Sequence, residues 1–145
     1  GLRLTYVALR ESDVELDCDT AGILRGCSRA GAAYGFRQFA IAYPDVQLEE
    51  PRSLVELVVA SGLRPGLWHP HHGLSGPALA VLDTAAVSRI RRLLVSGPER
   101  LFWRLAATDA ANNDCWVHVE SNAGAWDIDE VDDMIDAGLR ARAWR

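Results

Sequence analysis

With 145 residues, 49% of them apolar and 24% charged, the chain has the size and composition of one ordinary globular domain. A core of that size needs neither a disulfide nor a metal to fold. A net charge of −5 with no basic block argues against nucleic acid as a partner. No apolar run approaches the roughly 20 residues of a membrane-spanning helix. All fifteen basic residues are arginine, so Schiff-base, P-loop and general-base lysine chemistry are excluded.

Gly1 is not an initiator methionine, so a processed or cloned end is expected; no secretory signal is visible, although one could have been removed. Residues 2–9 read as a strand. After a turn at Glu11, Ser12 and Asp13, the alternation of Val14, Leu16 and Cys18 with acidic residues predicts a second strand, forming an N-terminal hairpin. Residues 19–43 carry Gly22, Gly26, Gly31 and Gly35 among small residues, and a helix through the glycines is expected. The run from Phe36 to Tyr43 is equally compatible with a strand. No nucleotide-binding glycine pattern is present.

Val46 to Glu50 reads as extended. Pro51 and Gly62 then bracket a helix whose apolar positions run nearly all the way round, which predicts burial, although its β-branched content also suits a strand. Residues 63–77, rich in proline and glycine, read as a long loop and the first place to look for a site. Asp83 and Thr84 are expected to cap a helix burying Val87, Ile90 and Leu94. Ser96-Gly97-Pro98-Glu99 matches a capping box for the next helix, with Leu101, Phe102 and Leu105 on its apolar face. Residues 115–120 alternate as a strand. A final helix is expected from Trp126 and Asp127, with acidic residues at its start and Arg140, Arg142 and Arg145 at its end. The expected fold is one α+β domain over residues 1–145, a small antiparallel sheet packed against about four helices.

Three groups of residues carry candidate chemistry. His69, His71 and His72 could hold a divalent transition metal if His118, Asp83 or Glu120 came near, whereas a solvated loop is the simpler reading; no other cofactor is implied. Cys27, if at a helix N-terminus, could act as a nucleophile with His118 as its partner, yet most lone cysteines beside small residues fill a core. Separately, His71 or His118 could serve as a general base in a site at residues 68–72. Asp129, Glu130, Asp132 and Asp133, together with Trp68 and Trp126 as exposed aromatics, could dock a basic protein; the alternative is a solvated, well-capped helix start. Of the remaining tryptophans, Trp103 and Trp116 are expected in the core and Trp144 partly exposed. The three cysteines form no paired motif and suggest a reducing, cytoplasmic setting. Because no catalytic pattern is complete, the leading expectation is a noncatalytic protein-binding domain of the inhibitor, immunity or accessory type, with a homodimer compatible. The alternative is a small enzyme or a ligand- or metal-binding domain, its site at residues 68–72 and His118. The sequence leaves open whether it is an enzyme.

Overall fold

The computed structural model describes residues 19–128, together with Ile135 and Gly138. In chain order the elements are α1 (Asp19–Tyr34), β1 (Gln38–Ala42), β2 (Val46–Leu48), α2 (Ser53–Ser61), β3 (Gly66–His69), β4 (Leu79–Asp83), α3 (Thr84–Ser96), α4 (Phe102–Asn112), β5 (Val117–Glu120) and β6 (Ala125–Asp127). The fold is α+β, as expected. Its larger sheet, ordered β1-β4-β3-β5, is mixed, because β3 runs antiparallel to β4 and parallel to β5. A second sheet pairs β2 with β6. The N-terminal hairpin, Cys18, the acidic residues from Asp129 onward and Trp144 lie outside the described residues.

The described residues fall into two compact units, 19–39 with 83–114, and 40–82 with 115–128. The first contains three helices. Helix α1 runs through its glycines and ends at Gly35, whose φ of 69° is readily adopted only without a Cβ. Leu24, Cys27 and Ala30 form its buried stripe, matched by Ala86, Val87, Ile90 and Leu94 of α3 and by Phe102, Leu105 and Ala106 of α4. Asp83 caps α3 as expected, its Oδ1 accepting from the Ala86 N–H at 2.7 Å. The far end of α3 is closed by Arg100, which folds back and donates to the carbonyls of Leu94 and Gly97 at 2.9 and 3.0 Å.

The capping box at Ser96 does not form, since α3 extends through Ser96. Helix α4 starts later, at Phe102. Glu99 instead accepts from the backbone N–H groups of Arg100 and Leu101, both at 3.1 Å. Asp109 is buried on α4, and its two oxygens receive Nε of Arg89 at 3.0 and 3.1 Å. Trp103 is half-buried.

The second unit holds the sheet around β3. Residues 63–77, expected as loop, contain this strand. Ala78 to Leu82, which continues unbroken apolar character rather than alternating, supplies most of β4. Both are short and buried, and a buried strand shows no period of two. Trp68 is 0% exposed and packs with Leu57, Ala78, Leu79, Val81, Ala123 and Ala125. This corrects the placement of Trp68 as an exposed anchor, whereas Trp116 is buried as expected. Trp126 and Asp127 belong to β6, where Trp126 faces Gln47 and Asp127 faces Val46. Extended backbone at Asp127 is what a capping residue adopts, as at Asp83. The helix expected after it lies outside the described residues, apart from Ile135 and Gly138, which are helical.

Residues 70–74 are bound to residues 123–125 by backbone hydrogen bonds. The His71 N–H donates to Ala123 O at 2.8 Å, the Ala125 N–H to His72 O at 3.1 Å and the Leu74 N–H to Ala125 O at 2.8 Å. Gly73 makes this approach possible. Its φ is 94°, and a Cβ there would meet Ala125 O at 1.9 Å. Gly73→Ala should therefore lower unfolding free energy by at least about 2 kcal/mol in urea titrations. Gly76→Ala, which meets open space and has no left-handed φ, should change it by less than about 0.5 kcal/mol.

Candidate functional site

The parallel register of β3 and β5 decides which histidines meet. Leu67 pairs with His118, Trp68 with Val119 and His69 with Glu120. Paired residues share a face, so His69, His118 and Glu120 project from one side of the ladder and Trp68 and Val119 from the other. The Ser121 N–H donates to His69 O at 3.0 Å and extends the pairing past the strand end. As a result His69 Nε2 lies 3.0 Å from His118 Nδ1. The ring centroids are 5.3 Å apart with 20° between planes, so the two imidazoles meet through these nitrogens. One ring donates an N–H and the other accepts.

His69 is half-buried and His118 exposed. Loss of hydration lowers the His69 pKa below the ordinary imidazole value; the nearby charge of Glu120 opposes this and His118 reinforces it.

The other two histidines of the loop take separate partners. His72 Nε2 lies 2.8 Å from Glu49 Oε2, the oxygen that also accepts the Gly124 N–H. The Glu49 N–H donates to Gly124 O at 3.0 Å in return. A Cβ on Gly124 would come within 2.7 Å of the His72 ring and 2.9 Å of that Glu49 oxygen. The Trp126 ring packs against that of His72, with ring centroids 5.4 Å apart. His71 is exposed and meets His72 edge-on. The expected trio of His69, His71 and His72 is thus divided: His69 turns to His118, and His72 to Glu49. Among the described residues no three His, Cys, Asp or Glu side chains converge as a metal-binding group.

Cys27 lies in the middle of α1, away from its N-terminus, and burial pushes its thiol up to about 11. That is the reverse of an activated thiolate. Glu49 and Gly124, which hold the loop, carried no signal in spacing or motif. Glu120 was legible with His118 as a possible further ligand, but its pairing with His69 was not.

Beside the loop, Glu50, Arg52, Val55, Glu56, Ser121, Asn122 and Ala123 line a groove of about 650 Å³. Arg52 lies along it, donating Nε to Glu50 at 3.0 Å. Helix α2 forms one wall and reverses the usual pattern. Ser53 and Ser61 face inward with Leu57, their hydroxyls buried without a hydrogen-bond partner, while Val55 is 44% and Val59 75% exposed. Burial all round was expected of this helix; only one face is covered.

Two measurements check these assignments. With a folded pKa below its unfolded value, His69 takes up a proton more readily in the unfolded chain. Its contribution to stability is complete above the unfolded value of about 6.5 and is lost as pH falls through the lower folded value. The melting temperature of the wild type should therefore fall more steeply between pH 7.5 and 5 than that of His69→Gln. Iodoacetamide at neutral pH should label exposed Cys115 and leave Cys27 unmodified in peptide maps of the native chain.

No family model matches the chain, and comparison with curated proteins and with solved structures likewise finds no match.

Proposed function

We propose that the chain is a noncatalytic protein-binding domain that receives its partner on the outward face of α2 and the adjoining groove. The observation that carries this reading is the reversed helix. Two valines one turn apart stand in solvent while two serines lie buried, and Leu63, just past the helix end, is 86% exposed. Core burial alone would favour the opposite arrangement. An outward pair of branched side chains beside a concave surface is suited to an apolar anchor surrounded by polar groups.

The rim is acidic. Glu50 and Glu56 line the groove, and Arg52 is engaged by Glu50. Asp129, Glu130, Asp132 and Asp133 remain partner-binding candidates on sequence alone, since they lie outside the described residues. A basic protein surface is the complementary partner. Trp126, half-buried against His72, remains a candidate contact, and Trp68 does not.

The test compares wild type with the double variant Val55→Asp and Val59→Asp as immobilised bait. Because both positions are exposed, each substitution should change folding stability by no more than about 0.5 kcal/mol. The wild type should retain a basic protein from extracts of its own cells, and the double variant should lose it, with both melting at the same temperature. Light scattering identifies the case in which a second copy is the partner: a wild-type dimer that the double variant returns to monomer. Equal retention by both baits, or a wild type that is monomeric and retains nothing, refutes the reading.

A further inference from the structure

We propose that His69 and His118 form a two-point chelating site for a divalent transition cation of tetragonal preference, copper(II) or nickel(II) ahead of zinc. Two metal–nitrogen bonds of about 2.0–2.1 Å, drawn from atoms 3.0 Å apart, enclose an angle of about 94°. That is close to the right angle between neighbouring ligands on a square-planar or tetragonal ion. A tetrahedral zinc site would require the nitrogens to stand about 3.3–3.4 Å apart.

The two donors are Nε2 of one ring and Nδ1 of the other, each a normal metal-binding atom. Neither depends on a flexible loop. His69 and His118 are on adjacent parallel strands whose register is fixed by four consecutive residue pairs, so the backbone holds the two rings side by side. Glu120, the register partner of His69, places a carboxylate charge on the same face and attracts a cation. The remaining coordination positions face solvent, because His118 and Glu120 are exposed, and water can occupy them.

In the free pair one ring donates its N–H to the other. Binding requires both facing nitrogens to present lone pairs. The donor ring shifts its hydrogen to its other nitrogen, and both rings swing so that the lone pairs converge beside the line joining them. A neutral pair therefore takes up the cation without net proton release, while acid competes for the same nitrogens. This site stands apart from docking on α2, and either can fail without the other.

The experiment is calorimetric titration of the metal-stripped chain with copper(II), nickel(II) or zinc chloride in a non-coordinating buffer at pH 7.5. The expected result is one equivalent bound, tightest for copper and weakest for zinc. His69→Asn and His118→Asn should each weaken copper binding by at least about tenfold, whereas His71→Asn should leave it unchanged. Electron paramagnetic resonance of the wild-type copper complex, which needs no variant to fold, should show hyperfine splitting from two equatorial imidazole nitrogens. The proposal is overturned if the wild type shows no saturable binding, if zinc binds more tightly than copper, or if one nitrogen or none is coordinated. It is also overturned if the folded pair variants bind as the wild type does, or if His71→Asn abolishes binding.

Discussion

Parallel pairing of β3 with β5 is the constraint on which both surfaces of the second unit depend. A parallel neighbour cannot be reached through a tight turn, so after β4 the chain leaves the sheet over residues 84–116 and returns before Val117 can lie beside Gly66. Once the register is set, one face of the ladder commits Trp68 to the core and the other juxtaposes two imidazoles. Gly66 contributes at the start of the strand: a Cβ there would meet Ser61 Oγ at 2.2 Å, so its absence lets α2 settle closely on the sheet. The same close seating draws Ser61 inward and leaves the opposite side of the helix, with its valines, to solvent.

The two proposed activities use different physics on the two faces of this arrangement. Docking on α2 relies on apolar area removed from water, with acidic groups selecting the sign of the partner's charge. Chelation by His69 and His118 relies on two nitrogen atoms held at a fixed separation. The first tolerates small shifts in backbone position, whereas a change of a few tenths of an ångström alters the second. Rigid strands are suited to the latter, and a helix surface to the former.

What could be read from the sequence was local chemistry. Asp83 caps a helix because its carboxylate reaches a backbone N–H three residues away, and that depends on nothing distant. The helix through Gly22, Gly26 and Gly31 was legible for a similar reason, as was the extended run beginning at Val117. Strands β3 and β4 were hidden because their residues are apolar without alternation and are bounded by Pro65 and Pro77, which favour a loop reading. The meeting of His69 with His118 was hidden for a deeper reason. It arises from register between segments 49 residues apart, and neither neighbourhood encodes it alone. The pairing of Trp126 was hidden because its partner, Gln47, lies far upstream and leaves no local signal.

The junction of Glu49, His72 and Gly124 has an evolutionary consequence. One carboxylate oxygen serves both the imidazole and the Gly124 amide, and the missing Cβ leaves no room for any larger residue at 124. A change at any of the three positions disturbs the other two, so they are free to drift only in concert. In divergent descendants of this gene, an acid, a histidine and a glycine separated by 23 and 52 residues should therefore persist as a joint signature after the surrounding sequence has become unrecognisable.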